Sequence, residues 1–523
     1  MRRITGALVG AVVGTLIAGA LSAETLTMGV QNETTSLDPH FRNNWINLSV
    51  ADHIFDTLSK QGPNAELLPG LAENWQVIDP KTVRLSLRKN VKWHDGSPFT
   101  ADDVIFTIER VRAGIPGATV PMDRYFLQGG KQYKKIDDFT VEITTSEPYP
   151  LTVDDLSVAH IISRKHAQGL KPDDYNAGKG MIGTGPYKFV EFRQGESLTV
   201  DANPDFWGGK PNWTKVVMKP ITNPSARVAA LLNSSVDLID NVPTTDVASL
   251  EKNPKVSVTS GPSRRAILLA GDHTRLRSPN VKTMSGEVMT PNPLRDWRVR
   301  KAIDMAINRD AIVERIMDKQ AIPAGQIVFP GAPGHHPDLK PTKYDPEGAK
   351  KLLQQAGYGE GFQIVISTPP ARYGNDVKLS EAVAQMLSAV GIKATVEVVP
   401  EAAYTSRQGN GTHSFSLASL GSVNSDPGSL ITSLHTFNPK EALGIANWGR
   451  YGNRDFDVLA AQLNTEVDVK KRDQLMKDAM AIAVEDVASW ILHWPKVVWA
   501  SRADIAVVSR SDQWTLAQSA KKK

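Results

Sequence analysis

Two short runs have the spacing of known reaction chemistry. Gly178-Lys179-Gly180-Met181-Ile182-Gly183 spaces its glycines as in loops whose backbone N–H groups cradle a dinucleotide, and Ser86-Leu87-Arg88-Lys89 sets a serine three residues before a lysine, as in acylating enzymes. Each chemistry needs a positioning element. The glycine loop must follow a strand and open a helix, but a loop rich in Asp and Asn precedes it and Gly-Pro follows. The serine must open a helix, but Ser86 lies in Val83–Leu87, whose apolar and polar residues alternate as in a half-buried strand. Asp102-Asp103 offers two carboxylates, yet Thr100 and Asp103 stand in the capping-box positions that start a helix. His335-His336 are adjacent, so their side chains diverge, and Pro333 and Pro337 frame them as a loop. No Gly-x-Ser-x-Gly or His-Glu-x-x-His run occurs. There is no cysteine, which excludes disulfides, thiol nucleophiles, Cys-rich metal sites and a lipid anchor on an N-terminal cysteine. The residues assign no catalytic group, no metal ligand and no cofactor.

The surrounding elements read as mixed α/β. Strands are predicted at Thr25–Val30, Lys188–Phe192 and Lys215–Met218, and helices at Ser225–Asn233, Asp296–Ala306 and Arg309–Ile316, the last capped by Asn308. After the loop Gln31–Asn44, a helix is predicted to run through Ile54 and Leu58. Asp345-Pro346 starts a helix that Gly357 stops. Gln363–Ser367, Val377–Val390 and Lys393–Val399 form a βαβ unit, which calls for a parallel or mixed sheet covered by helices.

A chain of 523 residues is too long for one ordinary domain, so two or three are expected. Met1-Arg2-Arg3, the apolar run Leu8–Ala20 and the small residues up to Ala23 read as a cleaved secretory signal, residues 1–23. The net charge of +4 falls to +2 without it, too little to suggest nucleic acid or an anionic membrane as partner. Export without a lipid anchor favours the periplasm.

Longer motifs carry a resemblance. Leu68-Pro69-Gly70-Leu71-Ala72-Glu73-Asn74-Trp75 leads through Trp93-His94-Asp95-Gly96-Ser97-Pro98-Phe99-Thr100 to Glu109-Arg110. Leu37-Asp38-Pro39-His40, Gly183-Thr184-Gly185-Pro186-Tyr187, Asn203-Pro204-Asp205-Phe206-Trp207, Val299–Ile303 and the stretch from Tyr344 to Tyr358 keep the same order. Together they resemble the dipeptide/oligopeptide/nickel class (family 5) of solute-binding proteins of ABC importers. The resemblance implies an α/β, two-lobed periplasmic-binding-protein clamshell (class II, cluster C) with an extra N-terminal subdomain. Lobe I would comprise 24–60, 183–265 and 491–523, the inserted subdomain 61–182, and lobe II 266–490. A monomer would capture a small molecule by lobe closure and deliver it to a membrane permease driven by ATPase subunits. The motifs themselves read as structural, with Trp75 and Trp93 in the core.

Ligand contacts are expected on cleft loops: Asn43, Asn44 and Trp45; Arg372, which can fork a carboxylate, with Tyr373; Ser419, Gly421, Ser422 and Asp426; and Asn447 with Trp448. Peptide binders of this class carry an acidic residue for the peptide ammonium where alignment on Asp426-Pro427 places Val423. Asp426 either substitutes for it or caps the following helix. The ligand is therefore read as a peptide or a small amino-acid-derived solute such as an opine- or glutathione-like conjugate. A nickel or metal-chelate binder, a periplasmic hydrolase or a chaperone are the alternatives.

Overall fold

The computed structural model describes residues 24–41, 45–118, 122–370, 372–438, 443–444 and 446–523. Residues 1–23, read above as a signal, and the pair Asn43-Asn44 lie outside them.

The chain builds two large sheet halves that share one strand. In the first half, Thr25–Val30 lies parallel between Lys215–Pro220 and Leu238–Ile239, and Ser197–Ala202 and Tyr187–Arg193 extend the sheet antiparallel. Leu26, Met28, Val200, Val216 and Leu238 form its buried core. In the second half, Arg265–Gly271 pairs antiparallel with Phe415–Gly421. The βαβ unit is present as Phe362–Thr368, Asp376–Ser388 and Ile392–Val398, its strands parallel. Trp490–Arg502 belongs to both halves: Trp490 to Pro495 pair with Arg265–Gly271 and Ala321–Pro323, while Lys496 to Arg502 pair with Val256–Pro262 and Leu238–Ile239.

Against the first half stands an antiparallel sheet in the order Ala72–Asp79, Thr82–Leu87, Thr140–Thr144, Gln132–Asp137. Helix Ala101–Arg112 covers it with Val104, Ile108 and Val111 on Leu85, Val141 and Ile143. Trp93 is buried as expected, whereas Trp75 is only half-buried at the edge of the cluster. The capping box forms. The Thr100 N–H donates to Asp103 Oδ2 at 3.1 Å, and the carboxylate also accepts from Trp93 Nε1 at 3.2 Å and the Arg164 N–H at 3.0 Å. Asp103→Ala leaves these three donors without an acceptor, so a loss of about 2 kcal/mol is expected in urea unfolding. A loss under about 0.5 kcal/mol would remove the carboxylate from this role.

Two predicted helices are corrected. The first is Trp45–Ile54 and does not reach Leu58, because the Ile54 carbonyl accepts from the Gly185 N–H at 3.0 Å and Thr57 then bridges to His160. The helix after Asn308 is a single α-turn, Arg309–Ala311, followed by a π-turn, Ile312–Ile316. Asn308 does cap it, accepting from the Ala311 N–H at 2.9 Å. Asp345 caps Pro346–Gln355 in the same way, and Gly357 stops that helix at φ +85°.

The motifs that carry the resemblance meet at structural joints. Arg110 forks onto Asp38 at 2.5 and 3.0 Å and donates to His40 Nδ1 at 2.8 Å. His94 Nδ1 accepts from the Gly183 N–H at 3.1 Å while Nε2 donates to the Gly185 carbonyl at 3.0 Å. Thr184 and Trp207 both donate to Asp56 Oδ2, at 2.9 and 2.7 Å. Runs separated by 70 to 151 positions are thus tied together. The glycines at 178 and 180 sit in a turn after the short helix Pro172–Asn176, with positive φ, and Ser86 lies mid-strand in Thr82–Leu87. His335 lies tilted against Trp494, ring centres 6.2 Å apart, and pairs through Nδ1 with the Val328 carbonyl.

Candidate functional site

A recess with about 770 Å³ of atom-free space opens beside the end of the first strand. Gln31, Glu33 and Thr34 line it from the loop after Thr25–Val30, Phe192 from a neighbouring strand, Asn241 from the turn after Leu238–Ile239, and Gln513 from the C-terminal segment. Trp45, the first residue of its helix and 36% exposed, forms part of the wall.

Trp45 also carries the recess towards the second half. Its ring lies 5.3 Å from the guanidinium of Arg265. Arg265 opens strand Arg265–Gly271 directly after the chain leaves Val256–Pro262, so it stands where the backbone crosses between halves. Its Nη1 donates to Ser419 Oγ at 3.0 Å, and Gly421 lies opposite it in the register. Arg372 and Tyr373 are near enough to act on its charge, and burial works against that charge. The structure thereby groups Trp45, Ser419, Gly421, Arg372 and Tyr373 around a residue that sequence reading did not select. Nothing local marks Arg265: it is the second of two adjacent arginines, and its neighbours come from 150 or more positions away on either side.

Arg372 and Tyr373 are held by their backbone. Both N–H groups donate to Asp376 Oδ2, at 2.8 and 3.0 Å, which ties their loop to the start of helix Asp376–Ser388. The Arg372 guanidinium reaches Glu401 and Thr405, each at 3.3 Å, and lies 5.7 Å from the Tyr373 ring centre. That ion pair is largely exposed and weak.

The other candidates are engaged by the protein. Asp426 accepts from Arg472 Nε and Nη2 at 2.7 and 2.9 Å and from the Gly428 N–H at 2.6 Å, just before helix Gly428–Thr432. Ser422 Oγ donates to the Asn424 carbonyl. Asn447 is buried, with Nδ2 donating to the carbonyls of Leu434, His435 and Tyr451 and Oδ1 accepting from the Tyr451 N–H, so it organises a turn. Trp448 packs against the apolar cluster of the second half.

Residues 423–426 are sewn to the inserted sheet region. The Val423 carbonyl accepts from Gln61 Nε2 at 2.8 Å, and its side chain packs on the apolar cluster containing Leu156 and Val158. Asp154 accepts from the Ser425 and Asp426 N–H groups at 3.0 and 2.9 Å, and burial raises its pKa to about 6. Asp155 accepts from Asn424 Nδ2 at 2.7 Å and pairs with Lys131 at 2.5 Å. An apolar contact thus stands at the position where an acidic residue was looked for.

Comparison with known proteins agrees with this architecture. The dipeptide-binding protein of Escherichia coli strain K12 is 27% identical over 451 residues, covering 82% of this chain and 81% of that protein. Di/tripeptide-binding protein 2 of Pseudomonas aeruginosa strain UCBPP-PA14 is 26% identical and covers 93% of both. The structure of HbpA2 from Haemophilus parasuis superposes with a TM-score of 0.81 at 22% identity, over 95% of this chain and all of that one. The two-lobed fold follows from that superposition. The model described as "Bacterial extracellular solute-binding proteins, family 5 Middle" matches residues 66–441, well over half of the sequence, and the chain belongs to that family.

Proposed function

We propose that this protein is the periplasmic capture component of an ABC importer, taking up a peptide or small amino-acid-derived solute without chemical change. The observation that carries the reading is the recess itself, walled by Trp45 from one half and adjoining Arg265 and Ser419 of the other, at the crossover of two sheet halves. Closure of two lobes on such a recess removes a solute from water, and a largely preformed wall limits the ordering cost. Relatives named for dipeptides and for glutathione, and the Helicobacter pylori ABC transporter-associated periplasmic binding protein DppA crystallised with the peptide STSA, support the ligand class. Lobe I is assigned to 24–60, 183–265 and 491–523, the inserted subdomain to 61–182 and lobe II to 266–490. Residues 1–23 are assigned to a cleaved signal. No helix among the described residues is long and apolar enough to cross a membrane. The protein acts as a monomer that meets a permease, whose ATPase subunits supply the energy.

Native mass spectrometry of protein taken from the periplasm without denaturation tests the reading. A ladder of peptide masses, or one discrete amino-acid conjugate, is expected to be released; release of a bare metal chelate would overturn the solute class. Ligand addition is also expected to shift tryptophan emission, with most of the shift lost in Trp45→Phe. A full response in that variant would take Trp45 out of the site.

A further inference from the structure

We propose that Arg265 is the anchor for a carboxylate of the ligand, so that the captured solute is an anion held by its acidic end. The inference rests on the solute-binding reading above and deepens it.

The partner inventory of Arg265 is unusual. Nη1 donates to Ser419 Oγ, a neutral acceptor, and the backbone N–H donates to Ser263 Oγ. The Nε atom is buried without a partner. Among the described residues no carboxylate lies within ion-pair distance. Arg265 is half-buried, and the more deeply buried arginines have fuller partner sets. Arg300 also lacks a carboxylate, but the carbonyls of Leu294, Arg295 and Asp486 take its donors. Arg264, whose Nε is likewise unpartnered, donates to Gln61 and to the Asn424 carbonyl and lies 4.0 Å from Asp512. Arg472 and Arg510 fork onto Asp426 and Asp512.

A guanidinium partly withdrawn from water, as the half-buried Arg265 is, without a counter-ion is costly, and the cost is relieved when an anion arrives. With Nη1 used by Ser419, the Nε and Nη2 donors are left side by side. Two parallel N–H groups on one planar edge match the two oxygens of a carboxylate. The guanidinium lies over the Trp45 ring at 5.3 Å, within cation–π reach. Arg372 adds a second positive charge nearby. For an α-ammonium the surroundings are less provided. Asp154, Asp155 and Asp426 already accept from protein donors, and Val423 is apolar. Of the recess carboxylates, Asp240 accepts from the Gln31 N–H and Thr515, and Glu33 stands exposed at the rim.

The test uses calorimetry of the full mature protein with three probes: the dipeptide Ala-Phe, N-acetyl-Ala-Phe and Ala-Phe amide. The two carboxylates are expected to bind about 100-fold more tightly than the amide, and Arg265→Met is expected to remove that advantage. Methionine keeps an unbranched apolar side chain beneath Trp45, so the melting temperature should hold or rise, and Arg265→Lys should retain part of the preference. Equal binding of acid and amide, or an unaltered acid affinity in Arg265→Met, overturns the proposal. So does a fall in melting temperature in that variant, which would mark Arg265 as structural. If none of the probes binds, the peptide form of the ligand reading fails while an amino-acid conjugate stands, and the melting temperature decides for Arg265: a level or raised value supports an anion anchor and a fall refutes it.

Discussion

Acidification from pH 7 to pH 5 is expected to strip stability from the folded protein steeply, on the order of 4 kcal/mol per pH unit near pH 5. Burial lowers the pKa of His40, His273 and His493 to about 3 and of His53 and His94 to about 4. Geometry explains why three of them resist a proton. His40 Nδ1 accepts from Arg110, His53 Nε2 from the Ala517 N–H, and His94 Nδ1 from the Gly183 N–H, while the opposite nitrogen pairs with a backbone carbonyl in each case. A second proton would turn each acceptor into a donor facing a donor. These folded values lie below the unfolded one near 6.5, so the stability they give is complete above that pH. It is lost as the pH falls and the unfolded chain gains protons that the folded one refuses. Asp154 and Asp240, both raised to about 6, act in the opposite direction: their contribution is present at low pH and lost as the pH rises through 6. Five groups against two leave roughly three protons taken up on unfolding at pH 5. Urea unfolding across pH 7.5 to 5 measures this directly. A midpoint that stays level over that range would refute it, and His94→Gln should flatten the slope by about one proton.

Gly183→Ala is expected to cost 4 kcal/mol or about that, a loss of the size reserved for backbone collisions. A Cβ at 183 would fall against the Ile54 carbonyl oxygen and within 3.2 Å of the Phe55 Cα. These are backbone atoms at a helix end and cannot rotate aside. The Ile54 oxygen is also pinned by the Gly185 N–H, and Gly183 is held on both sides by His94. Gly409→Ala is the control. Nothing lies within 4 Å of the added carbon, and the position ends helix Glu401–Gly409, so a neutral or slightly stabilising result is expected. Equal stability of the two variants in urea would show that the close approach at residue 183 is not required.

The contrast between Gly183 and Arg265 marks how far reading the chain can go. Caps and stops are local. Asn308, Asp345-Pro346, Gly357 and the Thr100–Asp103 pair declare themselves because the hydrogen bonds they make lie within four residues. The alternation in Val83–Leu87 and the βαβ unit are likewise short-range patterns. The end of the first helix was placed four residues too far because what stops it, the Gly185 N–H on Ile54, comes from 131 positions away. Asp426 and Asn447 read as ligand groups in the sequence, which does not show the partners the fold gives them, Arg472 and the Tyr451 turn. Arg265 is the converse: its meaning lies in a partner that is missing, and no sequence pattern records an absence.

The strand Trp490–Arg502 has a consequence for how the polypeptide comes to be folded. It completes the sheet of both halves, yet in chain order it follows every other strand of the shared sheet. Synthesis delivers it after all of its neighbours. Until it arrives, Val256–Pro262 lacks its neighbour and Arg265–Gly271 is flanked on one side only, so neither half can close its backbone hydrogen bonding. The two halves therefore mature together once it arrives rather than one after the other, and the chain before it stays pliable until then.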